Sequence, residues 1–210
     1  MTIAQALVSF VLAAGLLTIA PGLDSALVLR TAATEGGARA AHAGLGIFAG
    51  CLIWGGVVAL GLGALLAASE FAFATLKWAG VTYLFWLGLQ LICQPRTELP
   101  PATDLAPLGA RGGLGWFWKG MLQNLLNPKV GVFYVSFLPQ FVPSTVSTAV
   151  YTFLLAAIHG ILGLAWFAAL ILTTRPLVRV LRRPSTLKMM DRLTGGVFMA
   201  FGAKLALSSR

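Results

Sequence analysis

Two stretches of the chain set an ionisable side chain beside a helix breaker: Pro21-Gly22-Leu23-Asp24-Ser25 and Asn127-Pro128-Lys129. Both lie in runs that otherwise read as membrane spans. A proline inside a helix removes one hydrogen bond and crowds the preceding turn. In hydrocarbon the freed backbone groups must be satisfied by protein or water. Asn127-Pro128 is also a helix-start signature, because Asn caps well and Pro suits the first helical position. Each break is therefore expected to begin a half-helix, whose end carries about half a unit of positive charge. Two such ends approaching from opposite sides would suit a carboxylate. Lys129 adds a full positive charge, which is costly there unless an anion is near. Asp24 is the carboxylate well inside an apolar run, and a charge so placed costs about 2.5–3.5 kcal/mol on insertion scales. Asp24 and Lys129 are expected to pair or to share a substrate.

Other polar residues fall on the same runs. Gln123, Asn124 and Asn127 are spaced so that at least two share a helix face. Gln140 follows Pro139, and His159 sits mid-segment, where an imidazole can relay protons or bond a neighbouring helix. Asp24 and His159 are the candidates for proton coupling. Pro21, Gly22, Asp24, Ser25, Asn124, Asn127, Pro128 and Lys129 are the candidates for substrate binding.

The elements that must position these residues are apolar helices. The chain of 210 residues is 58% hydrophobic and only 10% charged, too few charges to cover a soluble domain. Residues 43–68 carry no charge, and 144–174 carry none beyond His159. Each exceeds the ~20 residues of a span, and neither alternates as barrel strands do. Six apolar segments emerge, at 3–29, 43–68, 71–92, 114–142, 146–174 and 193–208. The last is the weakest, and a five-helix arrangement is its alternative. The first has no basic stretch before it and is expected to stay as a helix rather than be cleaved.

Net charge is +9. Because the charges lie in loops, they speak of orientation and not of nucleic acid. Eleven Lys and Arg residues fall in the first, third and fifth loops, whereas Lys77, Lys204 and Arg210 lie opposite. Both termini should thus face outside. The basic stretch 175–192 could also touch anionic lipid headgroups. Residues 94–113, rich in Pro and Gly, read as a cytoplasmic linker between three-helix halves at 1–93 and 114–210. PGLD and NPK interrupt corresponding segments, and LGLQL at 87–91 corresponds to FGAKL at 201–205. With three helices each, the second half would be inverted relative to the first. The expected fold class is all-α, a polytopic membrane protein of six transmembrane helices in two inverted repeats, with helices 1 and 4 broken. Gly46 and Gly50 stand at GxxxG spacing and mark close helix packing, within a protomer or between protomers. Cys51 and Cys93 have no metal-ligand spacing, and no cofactor or metal is expected.

Taken in order, these features resemble the LysE/RhtB family of amino-acid exporters. The resemblance rests on APGLDSALVLRTAATEGGARAAHAGLGIFAGCLIW (20–54), LKWAGVTYLFWLGLQLI (76–92) and KGMLQNLLNPKVGVFYVSFLPQF (119–141). It implies a proton- or potential-driven exporter in the bacterial inner membrane, acting on a small amino acid, with a possible homodimer. The family's PG-acid motif falls on Pro21, Gly22 and Asp24, and its NPK motif on Asn127, Pro128 and Lys129. Leu23 stands where a second proline is frequent. Cys51 stands where exporters of basic amino acids carry an acid, which points to a neutral substrate of threonine, homoserine or branched-chain type. The rival reading is a membrane thiol–disulfide carrier using Cys51 and Cys93.

Overall fold

The computed structural model describes residues 2–20, 22–68, 70–98, 112–173, 180 and 183–207. Every regular element among them is helical. Helix α1 (Ile3–Ile19) opens with a capping box, in which Thr2 and Gln5 each bond the other's backbone amide. It ends where Ala20 turns extended (φ −61°, ψ 115°), as expected of a residue before proline. Helix α2 (Leu23–Thr34) follows at 50° to α1. The first apolar segment is thus two helices, and Pro21 itself lies outside the described residues.

Gly36, the one described glycine at positive φ (93°), turns the chain into α3 (Gly37–Ala68). Then come α4 (Glu70–Cys93) and α5 (Gly113–Leu125). After α5 lie the short α6 (Pro128–Val132), a π-turn over 133–137 and a 3₁₀ turn over 138–141. Helices α7 (Thr148–Leu172) and α8 (Pro184–Leu207) complete the described chain.

By length and composition, α3 over Gly37–Gly61 and α7 can each cross a membrane, and the bent α1–α2 pair counts as a third if it is one broken span. Helix α8 starts nine residues before the apolar segment read from the sequence, because its first turns carry Lys188, Asp191 and Arg192. At 24 residues, about 36 Å at 1.5 Å rise, α4 and α8 have the length of a span. Most of the predicted linker, residues 99–111, lies outside the described residues.

Helix α3 is the hub, packed against α5, α7 and α2. It meets α5 backbone to backbone: a Cβ on Gly46 would strike the Phe117 carbonyl, and one on Gly120 the Ala43 carbonyl. The GxxxG pair therefore serves packing within the protomer. Helices α4 and α8 form a second pair, closest where Gly88 and Gly195 face each other's carbonyls. Asp191, 1% exposed, accepts from the Arg96 backbone amide at 2.8 Å, from Nε at 2.9 Å and from Nη2. Removing one partner of so buried a pair typically costs about 3–5 kcal/mol. An aromatic stack fills the core between the two pairs: Phe10 of α1, Phe133, Phe137 and Phe141 of the irregular segment, and Phe201 of α8.

Candidate functional site

The start of α2 is held from two sides. Gly22 is its N-cap and brings no side chain to the task. Asp24 does not cap the helix; it sits in the first turn, where the helix field favours an anion. Asn124 Nδ2 donates to Asp24 Oδ2 at 2.8 Å, and Gln123 Nε2 donates to the Leu23 carbonyl at 2.6 Å. Trp166 Nε1 donates to Ser25 Oγ at 3.3 Å. Two adjacent α5 residues and one α7 residue thereby fix a single turn. Asp24 Oδ1 is buried and makes no well-aligned hydrogen bond, although the side chains of Asn127 and Gln123 stand close to the carboxylate; a ligand that supplied a better donor would be favoured there.

The second break is built differently. Helix α5 ends at Leu125, and Asn127 is extended (φ −78°, ψ 109°) with its side chain accepting from the Lys129 amide at 3.1 Å. Pro128 takes the first helical position and has no amide to offer. The expectation of two open helix ends is corrected here: Asn127 occupies one amide, Pro128 lacks another, and α6 runs only five residues before the π-turn. Attraction for an anion at this break comes from the Lys129 ammonium. The helix-face argument for Gln123, Asn124 and Asn127 also changes, since the first two are neighbours clamping α2 and the third lies beyond the helix.

Asp24 and Lys129 line one cavity, together with Gly22, Ser25, Asn124, Asn127 and His159. They are within electrostatic reach of each other, yet no nitrogen–oxygen pair between them falls within 4.0 Å. The cavity volume is about 70 Å³. Ile47, Phe48, Val130 and Phe167 give it an apolar wall.

His159 lines this cavity, and its Nδ1 lies 3.0 Å from the hydroxyl of Tyr134, which is fully buried. Sequence reasoning singled out neither Tyr134 nor Phe48, and Gln123 only as a polar residue. Cys51 is buried and lines the cavity, whereas Cys93 is exposed at the end of α4, and both are free thiols. Among the described residues, no group of His, Cys, Asp and Glu could hold a metal ion.

A polytopic helical bundle, broken twice around a cavity that faces opposite charges, defines a membrane translocator. The chain belongs to the LysE family: the family model described as LysE type translocator matches residues 16–209. The homoserine/homoserine lactone efflux protein of Salmonella typhi is 32% identical over 206 residues, 94% of each chain. The threonine efflux protein of Salmonella typhi is 30% identical over 90% of this chain and 92% of its own. The leucine efflux protein of Klebsiella pneumoniae is 27% identical over 94% of this chain and 93% of its own. No solved structure matches. The family is one of amino-acid efflux transporters, not enzymes, and its members are bacterial membrane proteins.

Proposed function

We propose that this protein exports a small neutral amino acid from the bacterial cytoplasm across the inner membrane. One observation carries the reading: the Asp24 carboxylate and the Lys129 ammonium line one cavity without joining in an ion pair. A zwitterion satisfies both, its ammonium at Asp24 and its carboxylate at Lys129. The side chain then lies against Ile47, Phe48, Val130 and Phe167. Cys51 puts no acid on that wall to hold a second positive charge, which fits a substrate of homoserine, threonine or leucine type.

Export proceeds by alternating access, with proton binding at Asp24, assisted by His159, coupling it to the proton gradient. The packing supports an inverted repeat. Helices in equivalent places of the two halves pack on each other, α3 on α7 and α4 on α8, and the α3–α5 contact has its counterpart in α7–α1. The loop charges support a topology with both termini outside.

The test is uptake of labelled amino acids into inside-out vesicles, with and without a pH gradient. Gradient-dependent accumulation of a neutral amino acid is expected. Failure of correctly inserted protein to move any amino acid of a full panel discards the reading.

A further inference from the structure

The His159 ring is held on two sides, by Phe133 with centroids 4.9 Å apart and by Tyr134 at 5.6 Å. Its Nδ1 is engaged by the Tyr134 hydroxyl. His159 lines the cavity, whereas Tyr134 does not. We propose that Tyr134 is a positioning residue: it makes His159 a hydrogen-bond donor to the carboxylate of the transported amino acid, an inference that rests on the export reading above.

The argument starts from the hydroxyl proton. Tyr134 has no exposed surface, so its O–H must give its proton to a protein acceptor or leave it unsatisfied at a cost of about 1–3 kcal/mol. Cys51 is beside it, but a thiol sulfur is a weak acceptor. The imidazole Nδ1 at 3.0 Å is the strong one. Nδ1 therefore accepts, and in the neutral ring the proton resides on Nε2. That Nε2–H donates into the cavity.

Which end of the substrate it meets follows from its neighbours. Lys129 lines the same cavity within electrostatic reach of the ring, so the cation and the donor together suit a carboxylate. The substrate ammonium goes to Asp24. The backbone that carries Tyr134 is the π-turn, where the Leu138 amide bonds the Phe133 carbonyl five residues back. Such wide turns recur at functional sites in helices.

The experiment is a double-mutant cycle on exchange of labelled for unlabelled amino acid across inside-out vesicles without a pH gradient, a readout that does not depend on proton coupling. Tyr134→Phe should raise KM about tenfold and leave kcat within about twofold, the loss of one orienting hydrogen bond. In His159→Gln the amide N–H donates without help from residue 134. Adding Tyr134→Phe there should change KM by less than about twofold. An equal loss in both backgrounds makes Tyr134 a packing residue and overturns the proposal. Should Tyr134→Phe fail to fold, judged by elution of the purified protein, His159→Leu decides. Its preference for the amino acid over the amino-acid amide, measured as binding, should fall about tenfold. Unchanged preference overturns the proposal. If wild-type protein binds and moves no amino acid, the export reading itself fails, a result distinct from all of these.

Discussion

The two breaks in the bundle solve one problem by opposite means. At Gly22 the helix start is bare, and distant residues hold it: Gln123 and Asn124 from α5, and Trp166 from α7. At Asn127 the start is self-contained, because the side chain of the cap takes the amide of Lys129. The first break thus depends on the tertiary structure, and the second carries its own local cap. Their charges are complementary: a carboxylate with one oxygen lacking a well-aligned hydrogen bond stands at the first, an ammonium without an ion pair among the described residues at the second. On the proposed reading, substrate binding is the event that joins them.

The sharpest way to break this comparison is to remove its charges. Asp24→Asn keeps an oxygen to accept from Asn124 and loses only the anion. Lys129→Ala deletes a cation that no carboxylate among the described residues pairs with. Both should reduce transport by more than about 100-fold while insertion and folding persist, since an intramembrane charge is more a burden on stability than a support. Vesicle transport beside melting of the purified protein measures both. Near-wild-type transport by either variant would remove that residue from the site.

The tertiary support of the first break can be tested without touching it. Gly50 on α3 leaves room for Asn124: an added Cβ would meet its Oδ1 at 2.6 Å and its Cβ at 3.0 Å. Asn124 cannot swing aside without releasing Asp24. Gly50→Ala should lower kcat/KM about tenfold and destabilise by about 1–3 kcal/mol, as overpacking does. An unaffected transporter would show that the Asn124–Asp24 bond does not set the site.

How far the sequence could foretell these features depends on contrast. Asp24 and Lys129 were legible because a charge in an apolar run stands out, and Asn127-Pro128 because capping chemistry is local. The uncharged length of the segments that form α3 and α7 announced two spans directly. Tyr134 and Phe48 were invisible, being aromatic residues inside aromatic and aliphatic runs. Gln123 was noticed for its polarity, but its partner lies 100 residues away, at Leu23. The beginning of α8 at Pro184 was hidden because Asp191 reads as a loop residue until Arg96 is placed against it. Pro139, which has no amide to give, was the one local sign that the helix after Asn127 ends in irregular turns.

The local cap of the second break should show as a small, separable effect. Asn127→Ala removes the acceptor for the Lys129 amide and should cost about 1 kcal/mol, the usual value of an N-cap. Transport should fall more than stability does, because the segment that carries Lys129 begins at this residue. A melting shift without a transport change would mean that α6 is fixed by Pro128 and its packing alone.

The smallest effect is expected at the glycine of the first break, and it is the most discriminating for the comparison. Gly22 is extended (φ −135°, ψ −170°), a conformation open to any residue, and an added Cβ would meet only the Ala20 carbonyl, at 3.9 Å. Neither backbone strain nor a clash demands a glycine here. It contributes no side-chain cap that alanine could remove. Gly22→Ala should therefore cost only about 0.5–1 kcal/mol, the margin by which glycine exceeds alanine as an N-cap. The holding bonds from Gln123, Asn124 and Trp166 remain in place. If instead this variant loses transport while its melting is unchanged, the cavity needs the space at position 22 itself. The bare helix end would then be a surface the substrate touches, and the first break would act through its backbone as well as through Asp24.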